Sequence, residues 1–202
     1  MDREADVIHL EFDYDELNKF AVELGARVDQ VPYALALAMN RSADVTRSYL
    51  IKATWPHSIV QRNSSFIAAA LTTKEARANK QSLAVEIYDK LGHVNLQRQA
   101  KGGTKTPLKG ANIAIPASSV PRGPRGVPKN LLPSNLKNSF KRNGMLFVRD
   151  KNGRARLVYT LRPKTTVPKR VPFYEDFAAS MSRELKRTIP LAVAKAMATA
   201  RR

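Results

Sequence analysis

The stretch KGGTKTPLKGANIAIPASSVPRGPRGVPKNLLP, from Lys101 to Pro133, decides how the chain is organised. It holds six of the twelve prolines and five of the nine glycines, and it contains no acidic residue. Because large apolar groups are few, the stretch is not expected to bury itself as a core, and its prolines keep the backbone partly extended. We therefore predict a single domain over residues 1–202, with an extended basic arm inserted at 101–133.

Positive charge is concentrated around this arm. The whole chain has 35 Lys and Arg residues against 17 Asp and Glu residues, which gives a formal net charge of +18. Between Lys90 and Tyr174 there are 19 basic residues and one acidic residue, Asp150, so the rest of the chain is neutral. A single-sign excess in one contiguous half favours contact with a polyanion or an acidic protein surface over a merely solvated face.

The N-terminal part is predicted to contain a strand and two helices. Period-two alternation predicts a strand over residues 7–12, and acidic capping predicts a helix from Asp13 to Gly25. Pro32 suits the first turn of a longer helix that continues to about Ala53. We expect the Trp55-Pro56 step to end this helix, because the residue before a proline disfavours the helical region.

Antiparallel strands are predicted on both sides of the arm. Residues 66–72 and 83–88 are interpreted as strands joined by a hairpin loop, although the alanines in the first also suit a helix. Residues 145–149 and 156–162 flank the turn 150–153, which contains Asn-Gly, a strong hairpin signal. Alternation in the second of these strands predicts one apolar face and one wet, basic face. The first face has Leu157, Tyr159 and Leu161; the second has Arg156, Val158, Thr160 and Arg162.

The C-terminal helix has the clearest pattern. Its apolar stripe repeats every four residues from Phe173 to Leu185, and we expect it to dock on the sheet of its own subunit. Thr188 and Pro190 should kink or restart the helix. The fold class is therefore predicted as α+β, with N-terminal helices and a long C-terminal helix packed on an antiparallel sheet.

The sequence contains no recognisable catalytic or metal-binding signature. The chain has no cysteine, its three histidines (His9, His57 and His93) lack metal-ligand spacing, and there is neither a nucleophile elbow nor a P-loop. Helix capping explains the acidic cluster between Glu11 and Glu16 better than a nuclease site, which stays a minor alternative. We predict no cofactor, no metal and no enzyme. The polar start and the shortness of the apolar stretch 66–71 predict a soluble protein without a signal peptide or a membrane span.

A nucleic-acid partner would explain the excess of positive charge, but the residues typical of base recognition are few. The basic half has few aromatic residues and no helix loaded with Arg, Asn or Gln for base reading. Its charge is spread over loops and one sheet face, which favours contact with the phosphate backbone without base readout. A non-sequence-specific nucleic-acid-binding protein outside a virion is therefore the alternative function.

Three stretches resemble a known family. They are VPYALALAMNRSADVTRSYLIKA (Val31 to Ala53), GGTKTP (Gly102 to Pro107) and VPFYEDFAASMSRELKRTIPLAVAKAMATARR (Val171 to Arg202). Together they are similar to the minor tail protein Z family, the tail-completion proteins of long-tailed bacteriophages. The acidic strand at residues 7–12 departs from the family's pattern.

The resemblance implies a non-enzymatic virion protein at the head-proximal end of the tail, in the neck, with the host cytoplasm as its location during assembly. It implies a homo-oligomeric ring, sixfold by analogy with tail tubes, next to tail terminator, tube or connector proteins. Double-stranded DNA in the channel, at the DNA end, is a further candidate partner, and no membrane is involved.

Eight basic residues are the predicted contacts with a neighbouring subunit, a partner ring or DNA. They are Lys101, Lys105, Lys109, Arg122, Arg125, Lys129, Arg156 and Arg162. If 101–133 is an arm, deleting residues 103–128 should leave a folded monomer.

Overall fold

The structure, a computed structural model, describes Lys19 and residues 31–92, 94–108 and 110–200. The strand predicted at 7–12 and the helix predicted from Asp13 to Gly25 lie outside the described residues, apart from Lys19. The chain forms two compact units. One contains the described residues up to Ala100 together with those from Arg170 onward, and the other is the insertion Lys101–Lys169. Helices and antiparallel strands occur in one chain, so the predicted α+β class is confirmed.

The first unit is mainly helical. Its framework consists of two long helices, α1 (Val31–Tyr49) and α5 (Phe173–Ala200). Between them in sequence lie α2 (Trp55–Ser58), α3 (Phe66–Ala70), the strands β1 (Leu71–Thr72) and β2 (Tyr88–Asp89), and α4 (Val94–Lys101). Leu71 of the small sheet belongs to the same buried core as the two long helices.

Helices α1 and α5 are joined by a seam of small and hydroxylated residues. Ser42 and Thr188 share a buried hydrogen bond between their hydroxyls (2.8 Å), and Thr46 and Ser180 share another (3.0 Å). The position on α1 rises from 42 to 46 while its partner on α5 falls from 188 to 180, so the helices are antiparallel. Ala38 is also buried, so the two backbones can approach closely without a bulky side chain between them.

The apolar stripe predicted for the last helix is confirmed. Phe173, Phe177, Met181 and Leu185 are all buried on α5. The helix continues through Pro190 to Ala200, so it does not restart at the proline. The missing N–H of a proline costs one hydrogen bond, which a long helix packed along its length can tolerate.

Two local predictions in the first unit were wrong. Trp55 keeps helical dihedrals (φ −65°, ψ −52°), and the helix continues past Pro56 to Ser58. A π-helical turn, Leu50–Thr54, precedes the proline, and this wider turn gives the ring room. Residues 66–70 form helix α3 instead of a strand, as the high helix propensity of alanine allows. The predicted antiparallel pairing survives only between β1 and β2.

The chain segments on either side of the insertion meet at one carbonyl group. The Gln99 oxygen accepts hydrogen bonds from the backbone N–H groups of Arg170 (2.9 Å) and Val171 (3.0 Å). Next to this point, β3 (Gly103–Lys105) pairs antiparallel with β8 (Thr165–Val167). Gly102 has φ +77°, and a Cβ there would lie 3.0 Å from the Lys169 nitrogen, so only glycine fits. The insertion is therefore closed at its base.

A four-stranded antiparallel sheet forms the body of the second unit. Its strand order is β4–β7–β6–β5, with β4 at Ile113–Pro116, β5 at Ser139–Arg142, β6 at Met145–Arg149 and β7 at Ala155–Arg162. The hairpin predicted around Asn152-Gly153 is confirmed as β6–β7. A second hairpin, β5–β6, turns at Asn143 (φ +48°) and Gly144 (φ +70°), as an Asn-Gly type I′ turn requires.

A β-bulge decides which side chains share a face of this sheet. Leu146 is opposite Tyr159 and Phe147 is opposite Leu157, so Val158 is an extra residue. The extra residue shifts the alternation by one position, which puts Val158 on the same face as Tyr159. The predicted face assignment was therefore wrong: Leu157 lies with Thr160 and Arg162, on the face opposite Tyr159.

The face that carries Tyr159, here called the core face, is covered by residues 117–136. Val120 from that segment is buried together with Leu146, Val158 and Tyr159. Half-buried side chains from the same segment complete this small core: Ala117, Val127, Leu131 and Leu136. Much of the predicted arm is therefore a layer of its own unit, and β4 is one of the strands of the sheet.

Because each core draws only on residues of its own unit, the insertion should be removable as a whole. Replacing Lys101–Lys169 by a short Gly-Ser linker should leave a helical chain with a cooperative thermal transition, measured by far-UV circular dichroism. Deleting only residues 103–128 should instead uncover Leu146 and Val158 and cause aggregation, contrary to the expectation for a free arm. A linker variant with no cooperative transition would contradict the two-unit description.

Candidate nucleic-acid and partner interface

The second unit carries almost all of the excess charge. Residues 101–169 contain 16 Lys and Arg residues and a single acid, Asp150. The Asp150 carboxylate accepts hydrogen bonds from the backbone N–H groups of Asn152 (2.8 Å) and Arg154 (2.9 Å), so it serves the β6–β7 turn. All the described basic residues of this unit are exposed except Lys105, which is half-buried. Their charges are held at the surface with little acidic compensation inside the unit.

The eight predicted contact residues are dispersed over this unit. Lys101 ends α4 and Lys105 ends β3, whereas Lys109 lies outside the described residues. Three others belong to the segment that covers the core face: Arg122, Arg125 and Lys129. Arg156 and Arg162 lie on opposite faces of β7, because Arg156 is opposite Val148 and Arg162 is opposite Ile113 across the bulged sheet. The structure thus brings together Arg125 and Lys129 but does not gather all eight.

Arg125 and Lys129 line a cleft of about 820 Å³ on the core face. The rest of its lining is mainly apolar and rich in proline: Ala114, Pro116, Gly123, Pro124, Gly126, Val127, Pro128, Leu132, Pro133 and Tyr159. Prolines fix the backbone, so the cleft is preformed and would lose little entropy on binding. An apolar floor with two cationic side chains suits an apolar group next to a negative charge.

Tyr159 anchors the covering segment to the sheet. Its hydroxyl donates a hydrogen bond to the Leu131 carbonyl oxygen (2.7 Å). Burial raises the pKa of the Tyr159 hydroxyl above its ordinary value near 10, and the positive charge of Arg122 acts in the opposite direction. Arg122 also donates a hydrogen bond to the Pro116 carbonyl oxygen (2.8 Å). Both side chains therefore help to hold the walls of the cleft.

The other face of the sheet, here called the open face, combines aromatic and cationic groups. Phe140 on β5 stacks on Phe147 on β6, with ring centroids 5.5 Å apart and an interplanar angle of 17°. The Arg149 guanidinium carbon lies 4.9 Å from the Phe140 centroid. The register of the strands places Arg142 and Arg162 on the same face. This face therefore offers apolar rings and three exposed guanidinium groups together.

The aromatic part of the open face was not predicted from the sequence. Phe140 and Phe147 belong to the few aromatic residues of the basic half, and the sequence patterns considered above predict no strand around Phe140. The signal was present, since Asn143-Gly144 stands between Phe140-Lys141-Arg142 and the alternating run of β6. Recognising that hairpin would have paired the two rings.

The described part of the chain shows neither a metal site nor a membrane-spanning helix. No group of three or more His, Asp or Glu side chains there could hold a metal ion. None of its helices has the length and hydropathy needed to cross a membrane.

Comparison with known proteins found no family model, no curated protein and no solved structure that matches the chain. The family resemblance described above stays a prediction from the sequence.

Replacing Tyr159 by Phe should destabilise the second unit by about 1 kcal/mol, because it removes the bond to the Leu131 carbonyl. The raised pKa adds a pH dependence. Because burial disfavours the charged phenolate, the full stability is present below the ordinary pKa near 10 and is lost as the pH rises through the higher folded pKa. Urea unfolding at neutral pH and above pH 10 should therefore show a smaller alkaline loss of stability in Tyr159→Phe than in the parent chain. Equal losses would contradict this role of the hydroxyl.

Proposed function

We propose that this chain is a structural protein of a tailed-bacteriophage virion, a tail-completion or head–tail joining subunit at the head-proximal end of the tail. The observation that carries the proposal is the division of the chain into a helical unit of nearly balanced charge and a closed insertion with 16 basic residues and one acid. The role assigns no catalytic residue, cofactor or metal to the chain.

The charge division suits a joining protein. A surface with mixed charge can pack against copies of itself, whereas a strongly basic insertion is stable in an assembly only beside negative charge. A ring of chains that each carry +18 would be destabilised by repulsion unless DNA in the channel or acidic neighbours neutralised it. Tail terminator, tube or connector proteins and packaged DNA are therefore the proposed partners, and the neck is the proposed location.

The structure is compatible with the resemblance on which the proposal also rests. Two of the resembling stretches, 31–53 and 171–202, contain the long helices α1 and α5, which pack on each other along the seam. The third stretch, 102–107, lies at the base of the insertion and contains β3. The stretches that resemble the family thus belong to the framework and to the junction with the insertion.

The alternative function, a nucleic-acid-binding protein outside a virion, is favoured by one observation. The open face holds two stacked aromatic rings among arginines, which bridging between proteins does not require. Location distinguishes the two functions, because only the joining subunit must be part of the finished particle.

Mass spectrometry of purified particles tests the location directly. We expect peptides from this chain in particles and in isolated tails of the phage that encodes it, in an amount of the order of one ring for each tail. Absence of the chain from particles that contain all other tail proteins would overturn the proposal.

Charge reversal on the insertion tests the role of the basic surface. The change of Arg125, Lys129 and Arg156 to Glu should weaken binding of the chain to tails that lack it, since each lost pair contributes up to about 1 kcal/mol at an exposed site. Together the three changes correspond to roughly a hundredfold loss of affinity. A sedimentation assay with labelled chain and purified tails measures this loss.

The matched control reverses three exposed lysines of the helical unit, Lys52, Lys74 and Lys186. Its overall charge equals that of the insertion variant, so a general effect of charge would weaken both equally. We expect the control to bind tails with nearly the parent affinity. Equal weakening of the two variants would contradict a specific role for the insertion.

A further inference from the structure

We propose that the open face of the inserted sheet binds unpaired nucleotides of a single-stranded nucleic acid, with bases on Phe140 and Phe147 and phosphates on the surrounding arginines. The site goes beyond the joining function, which requires only contact with negative charge. It also does not depend on that function, because the face could bind single strands whether or not the chain belongs to a virion.

The two phenylalanine rings lie on the face of the sheet that does not pack on the core of the second unit. Both are half-buried, and within the described part of the chain neither packs on the buried core of the second unit, which lies on the opposite face. Met145 and Leu157 lie beside them, and Ile115 on β4 is 36% exposed. An apolar patch kept on the surface of a strongly basic unit marks a binding surface.

The register places the patch between cations. Opposite residues of the sheet form successive rows across the open face. Arg162 lies in the first row beside Ile113, Arg142 in the second beside Met145, the two rings in the third with Leu157, and Arg149 in the fourth beside Ala155. The guanidinium groups thus occupy rows on both sides of the rings, so a strand that stacks bases on the rings can reach a cation with phosphates in either direction.

Arg149 connects the two kinds of contact. Its guanidinium lies 4.9 Å from the Phe140 centroid, within the range of a cation–π interaction. One of its nitrogens is 3.4 Å from the Gly153 carbonyl oxygen, a long hydrogen bond that uses one of its five donors. The remaining donors can contact phosphate, and the planar group can itself stack on a base.

A single strand fits these groups better than a duplex or an acidic protein. In a duplex the base faces are stacked inside, so only the arginines would be used and the rings would face phosphates. An acidic peptide would likewise use the charges without needing adjacent aromatic rings. Sheets with aromatic residues on neighbouring strands stack successive unpaired bases, and this contact tolerates any sequence because every base has a π-face.

Fluorescence anisotropy with two labelled probes separates stacking from charge. The first probe is an oligothymidylate of about 12 nucleotides, within the site sizes of known single-strand binders. The second has the same backbone without bases. We expect the full-length chain to bind the first probe more tightly, and the double variant Phe140→Leu/Phe147→Leu to lose at least about thirtyfold in affinity for it, as the loss of two stacking contacts predicts. The affinity of this variant for the abasic probe should stay within twofold of the parent value.

Tyr33→Leu is the matched control for the loss of an aromatic ring. Tyr33 is 39% exposed on the helical unit, and Lys80 lies 5.5 Å from its ring centroid, so it too is a surface ring with a cation. This variant should bind both probes like the parent chain. Arg142→Gln should weaken the binding of both probes, because it removes a positive charge and leaves the two rings in place.

The outcomes that overturn the proposal are specific. They are equal affinity of the parent chain for the two probes, an unchanged affinity of the double variant for oligothymidylate, or tighter binding of a duplex of equal length. The last outcome would assign the face to backbone contact with double-stranded DNA. Should the double variant fail to fold, photocrosslinking of the parent chain to 5-iodouracil in the same oligonucleotide decides the matter. Crosslinks at Phe140 or Phe147 support the site, and crosslinks confined to other residues contradict it.

Discussion

Repulsion among the basic residues of the insertion is the constraint on which the rest of the structure depends. Residues 101–169 place 15 of the 18 net positive charges in one unit, and their only acid is used in a turn. Self-repulsion of this kind disfavours compact structure, so the insertion needs its own sources of stability. It has two: the small core around Val158 and Tyr159, and the closure of its ends at β3–β8. The Gln99 carbonyl, just before the insertion, accepts hydrogen bonds from Arg170 and Val171, just after it, so the chain leaves and re-enters the helical unit at one place.

The helical unit is stabilised in a different way. Its two long helices come from opposite ends of the described sequence, and their contact depends on residues small enough for close approach and on hydroxyl groups that satisfy each other. The apolar stripe from Phe173 to Leu185 is buried on α5, and Ile189 and Val193 extend it toward the C-terminus. The chain thus separates apolar packing from the presentation of charge, which suits a protein that joins different partners.

The sequence predicted those features whose cause is local. The four-residue repeat of α5 and the Asn-Gly turn between β6 and β7 depend on neighbours along the chain, and both were confirmed. The location of the excess charge follows from counting charged residues along the sequence and needs no structure.

The bulge at Val158 could not be predicted, because one extra residue in a strand leaves no mark in its composition. This extra residue nevertheless reverses the faces of Leu157 and Val158. The role of residues 101–133 could not be predicted for a related reason. Their prolines indicate an extended backbone, but only the structure of the sheet shows that Val120 packs against it. Pairing of Phe140 with Phe147 likewise requires the register.

The proposal that this chain is a head–tail joining subunit of a phage is tested most directly by a reconstruction of the head–tail junction in particles assembled from a genome that encodes it. The account predicts a ring of this chain at the head-proximal end of the tail, with its basic insertion against DNA or an acidic protein surface and its helical unit against copies of itself. A junction without this chain, or a ring whose inserted units face only solvent, would contradict the account.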